Sequence, residues 1–141
     1  MTMPRDPLAG ASDLCRMSAA ELAAGYAKGT FSPVDVAKAT LERAEAIQPE
    51  LNAFARIDHE GALAQARESE RRWREKAPLS EVDGVPATIK DIVWMKDQAV
   101  RYGTVSVPAV EATEDAPSVA RMRAAGLVFL GLTTTPEFGW K

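Results

Sequence analysis

The sequence predicts an α/β fold, with N-terminal helices packed on a mixed, largely parallel sheet. Three observations carry that expectation. Val34, Ala37, Leu41, Ala44 and Ile47 recur at helical spacing, which gives the first half an amphipathic helix. Past Pro78 the pattern changes to short β-branched runs, beginning with Val85 to Ile89. The helix-like "APSVARMRAAG" then leads at once into "LVFLGL", residues 127–132, an unalternating apolar run expected of a strand covered on both faces.

Residues 1–17 read as an N-terminal arm, and residues 18–141 as the N-terminal portion of a single domain, without internal repeats or low-complexity linkers. Ser18 and Glu21 form a capping-box pattern for a first helix to Lys28, which Gly29 stops. Ser32 caps a second helix, with Pro33 in its first position, Asp35 in its first turn and Pro49 as its end, so that it spans Pro33 to Gln48. Leu51 to Ile57 reads as extended. Asp58 caps a third helix to about Lys76, whose charged tail "RESERRWREK" suggests a solvated face with Trp73 as its one buried residue. Pro86 places the following strand at an edge or a bulge. Trp94 to Glu114 has no helical period. Asp115 is the expected cap of the fourth helix, with Pro117 in its first turn and Gly126 after its end, and Pro136 is a candidate start for another. A doubly covered parallel strand with so few neighbours would leave sheet edges open, so the sequence is expected to be the front of a larger domain, its C-terminal remainder absent.

Composition narrows the function classes. Hydrophobic residues at 46% and charged residues at 26% fit a globular chain rather than a disordered one. A net charge of −3 gives no basic surface for nucleic acid or anionic membrane. No stretch is apolar enough for a signal peptide or a bilayer span. Cys15 is the single cysteine, which excludes an intrachain disulfide and favours a reducing compartment, so a cytoplasmic location is expected. His59 is the single histidine and has no partners at metal-ligand spacing, so no metal site is expected and His59 reads as a surface residue.

One residue asks for a chemical reading. In "DGVPATIKDIVW" a lysine, Lys90, closes the apolar strand. A charged amine is costly to bury. Either Lys90 snorkels past the strand end into water, or later burial disfavours its ammonium and makes the amine a usable base. Asp91 would favour the charged form if it lay alongside, but alternation along a strand sends adjacent side chains to opposite faces.

The motifs around Lys90 resemble the amidase signature family of serine amidohydrolases. "LSEVDGVPATIKDI" carries Gly84, Val85, Pro86, Lys90 and Asp91, like that family's Gly-Val-Pro segment leading to Lys-Asp. "DAPSVARMRAAGLVFLGLTTTPEFGW" follows, with the Asp115–Pro117 helix start and the Glu137–Phe138 pair, and Leu51 to Phe54 matches an upstream Leu-Asn-Ala-Phe element. The resemblance runs from Asp13 onward. One departure is that the family's Gly-Lys-Thr-Asn loop here reads Gly131, Leu132, Thr133, Thr134; that loop lysine is not the catalytic one, and its loss is expected to alter the pocket or the packing beside it.

The resemblance implies amide hydrolysis by a Ser–cis-Ser–Lys triad in the full-length protein, without metal or organic cofactor, and it makes Lys90 the catalytic base. The serine nucleophile, the bridging serine and the oxyanion donors belong to a downstream Gly- and Ser-rich signature. None of the serines at 12, 18, 32, 69, 80, 106 and 118 lies in a Gly-Ser-Ser setting, so the 141-residue chain alone is expected to be inactive. The expected partners are a small-molecule amide and the missing C-terminal part of the same protein. No nucleic acid or membrane partner is expected, and a homo-oligomer is left open. The glutaminase subunit of a tRNA-dependent amidotransferase shares the same motifs and would bring in tRNA. A reading of another class is a non-catalytic truncated fragment or binding stub. Trp94, Phe129 and Phe138 are expected in the core, Cys15 is expected to be half-buried, Glu137 to cap or brace its loop, and Trp140 to lie close to where the downstream signature begins.

Overall fold

The computed structural model describes residues 13–140; residues 1–12, most of the expected arm, and Lys141 lie outside the described residues. Asp13–Arg16 is a 3-10 turn, and Leu14 and Met17 beside it pack on Leu22, Tyr26 and Val36. The elements that follow are α1 (Ala19–Lys28), α2 (Pro33–Leu51), β1 (Phe54–Ile57), α3 (His59–Arg74), β2 (Pro86–Lys90), β3 (Ala99–Val100), β4 (Val110–Glu111), α4 (Pro117–Ala124), β5 (Val128–Thr133) and a closing 3-10 turn, Glu137–Gly139. Among the described residues no helix is long and apolar enough to cross a membrane.

Local chemistry sets the helix ends. Ser18 accepts from the Glu21 N–H at 3.3 Å while Glu21 accepts from the Ser18 N–H at 2.7 Å, the expected reciprocal cap of α1. Ser32 and Asp35 do the same for α2. That helix does not stop at Pro49, as expected, but runs to Leu51. A proline in the last turn forfeits only one intrahelical bond, and the side chain of Gln48 fastens the exit by bonding both the N–H (2.9 Å) and the carbonyl (2.7 Å) of Phe54. In α3 the buried residues are Ala62, Ala66 and Ser69, small enough to bring the helix close to the sheet. Trp73 is only half-buried, contrary to expectation, because its indole N–H reaches out to the Asp83 carbonyl at 2.9 Å.

β5 lies between β1 and β2, antiparallel to the first and parallel to the second, so the sheet is mixed as expected. Val128 and Leu130 pack on Ala37 and Leu41 of α2 and on Ala62 and Ala66 of α3. Phe129 and Leu132 pack on the other side with Ile89, Met95 and Val119. The strand is therefore covered on both faces. Phe129 and Leu132 are three apart yet share a face because the β2–β5 register slips between Ala87↔Phe129 and Ile89↔Leu132, which gives β5 one extra residue. Gly131 makes the slip possible: a Cβ there would come within 2.0 Å of the Arg56 carbonyl oxygen. The same strand absorbs Gly131 to Thr133, which the family pattern treats as a loop. Leu132, at the position of that pattern's lysine, is a core residue at 2% exposure.

Three expectations in the second half are corrected. Asp115 does not cap α4, whose N-cap is Ala116 without a side-chain bond. The Asp115 carboxylate instead accepts from Arg123 Nε (2.7 Å) and from the Lys96 N–H (2.8 Å), which holds its pKa below the ordinary carboxylate range. Pro136 opens only a three-residue turn. Phe138 is half exposed rather than in the core. The aperiodic stretch 94–114 is loop, with the β3–β4 ribbon as its one regular pairing among the described residues.

The segment leading into β2 is fixed by Asp83, which is 0% exposed. Arg72 grips its carboxylate with two bonds, at 2.7 and 2.8 Å, and the Leu79 N–H adds a third at 2.8 Å. Burial pushes the Asp83 pKa up; the guanidinium and the Leu79 N–H outweigh it and hold the carboxyl below its usual value. A carboxyl depressed by folding stabilises fully above its unfolded pKa of about 3.9, and that contribution is lost as pH falls through the lower folded value. Asp83→Ala leaves a largely buried guanidinium unpaired and should cost about 3–5 kcal/mol in urea unfolding of the full-length protein near neutral pH. The difference between Asp83→Ala and the parent should shrink as the pH is taken below about 3.9, where the parent loses the same ion pair.

Candidate functional site

Lys90 is the last residue of β2, opposite Thr133 of β5, and it is exposed. Ile89 before it and Asp91 after it are both buried, at 5% and 2%. Among the described residues no hydrogen bond or ion pair engages the Lys90 ammonium. Thr88 and Lys90 are the exposed residues of β2, so the face they share is uncovered. As the chain stands, the amine reaches solvent at the end of a strand, and the described residues do not supply the burial that a base at this position needs.

The backbone that presents Lys90 is held firmly. Its carbonyl accepts from the N–H groups of both Ile92 (2.7 Å) and Val93 (2.9 Å), which turns the chain sharply after the strand. Asp91 continues the ladder, donating its N–H to the Thr133 carbonyl at 2.9 Å. Its own carbonyl and carboxylate both turn to the next loop: the Tyr102 N–H donates to the carbonyl at 3.0 Å and the Arg101 N–H to Oδ1 at 2.9 Å.

That loop is joined to the one after β5. The Phe138 N–H donates to the Tyr102 carbonyl at 2.7 Å, and the two rings stack with centroids 6.1 Å apart. The Trp94 indole donates to the Tyr102 hydroxyl at 2.8 Å, so Trp94 is half-buried in a polar contact rather than in the core. The Glu137 carboxylate accepts from the hydroxyls of Thr104 and Ser106, which makes it a brace between the loops. Sequence reading misses Tyr102, Thr104 and Ser106, because nothing along the chain shows that residues 101–106 and 135–138 meet; the one local signal is Gly103, which follows Tyr102 in a tight turn. Trp140 beyond the brace is 80% exposed.

The other candidates stand apart from this corner. The His59 ring pairs with Glu45 at 2.9 Å on the surface. The half-buried Cys15 thiol donates to the Ala39 carbonyl at 3.5 Å. Among the described residues no group of His, Cys, Asp and Glu is arranged to hold a metal ion. A cavity bordered by Tyr26, Phe31, Trp73 and Arg74 is not lined by Lys90, and its Ser32 is committed to capping α2.

Comparison with known proteins adds a family to this geometry. A family model described as Amidase matches residues 35–141. The chain is 39% identical over 127 residues to the glutaminase-family component of an aminoacyl-tRNA-modifying enzyme of Salinispora tropica, named as a glutamyl-tRNA(Gln) amidotransferase subunit, covering 90% of this chain. It is 36% identical over 124 residues to an acylamidase of Rhodococcus erythropolis, covering 88%. In each case it spans 26% of the relative's length. Among solved structures, the peptide amidase of Stenotrophomonas maltophilia superposes with a TM-score of 0.79 at 28% identity, over 86% of this chain and 25% of that one.

The contact between the two loops gives a test of the corner. Gly103 has φ +65°, and a Cβ there would lie 2.4 Å from the Thr135 carbonyl oxygen, a backbone atom with little room to move. Gly103→Ala should part the two loops, at a backbone cost of roughly 1–2 kcal/mol before the clash is counted. Amide hydrogen exchange should speed up at 101–106 and 135–139 and stay unchanged in α2 and α3.

Proposed function

Because the chain belongs to the amidase family, we propose that the whole protein is an amidase, hydrolysing a carboxylic amide C–N bond, and that Lys90 is its catalytic base. The observation that supports this most is the corner itself: an unpaired lysine amine on a rigidly held strand end, facing an uncovered side where further chain would pack. The remaining three quarters of such a protein would supply a nucleophilic serine, a bridging serine and backbone oxyanion donors. Lys90 would accept the proton that the nucleophile passes through the bridging serine as its oxygen attacks the amide carbonyl. The amine then leaves with a proton returned along the same path, and water releases the acyl group. Backbone N–H groups holding the tetrahedral oxyanion would give the largest electrostatic stabilisation. Covering the Thr88–Lys90 face would disfavour the ammonium and let the amine act as a base.

A second reading is a glutaminase-bearing subunit, in which the amide is that of glutamine and the released ammonia serves a partner's site. The similarity to a glutamyl-tRNA(Gln) amidotransferase subunit over 90% of this chain favours it. Both readings use the same base, and they part on whether glutamine is hydrolysed alone or with a tRNA-charging partner present.

Lys90→Ala in the full-length protein should lower kcat by about 10²–10⁴, the range of general-base catalysis, while its melting temperature stays near that of the parent. Lys90→Arg should be nearly as damaging, since a guanidinium stays protonated. Turnover by a well-folded Lys90→Ala protein would remove the assignment. Residues 1–141 expressed alone should hydrolyse no amide and should self-associate through the open β2 edge and the uncovered face. Light scattering and amide hydrolysis, measured with and without the downstream segment, check this: solubility and turnover should return together. A monodisperse, cooperatively unfolding 1–141 monomer would favour a binding role.

A further inference from the structure

We propose that Asp91 is the positioning residue for Lys90, acting through the hydrogen bond from the Arg101 N–H to its carboxylate. The inference rests on the reading of Lys90 as the base. Asp91 is 2% exposed, yet among the described residues it forms no ion pair. A carboxylate removed from water without a cation is costly, and an apolar residue would fill the space more cheaply. What the carboxylate does at this point is specific: with the Asp91 carbonyl, it takes the N–H groups of Arg101 and Tyr102 in succession.

Those two bonds bring the 101–104 loop against the end of β2, immediately after Lys90. The same loop then holds the segment after β5 through the Tyr102 carbonyl and the Phe138 N–H. The strand end that carries Lys90 is thus gripped by β5 on one side, through the bond from the Asp91 N–H to Thr133, and by the loop on the other. A lysine side chain is long and rotamer-rich, so the chain can fix its amine only by fixing the backbone it starts from. Loss of about 1 Å in placement of a reacting group costs on the order of 100-fold in rate. Asp91 does not touch the reacting atoms; it sets where Lys90 begins.

The test uses the full-length enzyme and three variants, with kcat and KM normalised to folded protein. Asp91→Ala removes the acceptor and should lower kcat by about 10–100-fold with KM within about twofold. Asp91→Asn keeps an oxygen for the Arg101 N–H without the charge, and should recover kcat to within about threefold of the parent. Asp91→Ala with parental kcat overturns the proposal. A folded Asp91→Asn as impaired as Asp91→Ala also overturns it, because the charge and not the hydrogen bond would then matter. If Asp91→Ala does not fold, the kcat of Asp91→Asn decides alone, by the same limits. Lys90→Ala, measured alongside, separates the two claims: if it keeps its turnover, the base assignment fails and this inference with it. If Lys90→Ala is dead and Asp91→Ala is unaffected, only the positioning role fails.

Discussion

The carboxylate of Asp83 lies wholly out of water, and the groups around it come from separate stretches of the chain. Arg72 reaches it from the end of α3, and the Leu79 N–H from the connecting loop. The neighbouring backbone is used as fully. The Trp73 indole holds the Asp83 carbonyl, and the Gly84 N–H donates to the Gly126 carbonyl at 2.9 Å, at the turn between α4 and β5. A buried carboxylate is stable only while its cation and donors stay in place. This one set of contacts therefore fixes how the helical layer meets the sheet and where β2 starts beside β5.

From that start the path to Lys90 is short and allows little freedom. β2 has five residues, and its pairing with β5 runs from its first to its last. The slip at Gly131 turns Leu132 onto the side of Phe129 and Ile89, so the core beneath the strand end is continuous up to the last pair. Lys90 emerges between two buried residues, and Asp91 ties the backbone behind it to both neighbouring loops. The chain thus supplies a rigid mount for the Lys90 amine. The described residues do not cover that amine, in keeping with a chain that spans about a quarter of the length of its curated relatives.

Much of this is legible in the sequence where the signal is local. Ser18–Glu21 and Ser32–Asp35 read as caps because the reciprocal bonds span only three residues, and "LVFLGL" reads as a doubly covered strand from its composition alone. Long-range contacts are not legible. Arg72 reads as one charge in a solvated tail because its partner lies 11 residues on, in a loop without a pattern. Asp115 reads as a cap because nothing along the chain shows that Arg123 and Lys96 offer it donors of their own. Pro49 reads as a stop because the Gln48 side chain that holds the exit bonds across a turn. At the site, the position of Lys90 can be read from the motif, whereas the contact between loops 101–106 and 135–138 cannot, since it exists only in three dimensions.

The account as a whole depends on where the Lys90 amine goes once the uncovered face is closed by the rest of the protein. A crystal structure of the full-length protein with a trapped acyl group on its nucleophile measures this directly. Lys90 Nζ should lie roughly 2.6–3.2 Å from the hydroxyl oxygen of a serine that in turn contacts the acylated residue. An Nζ still facing solvent beyond hydrogen-bond reach, with another group bonded to that serine, would contradict the account.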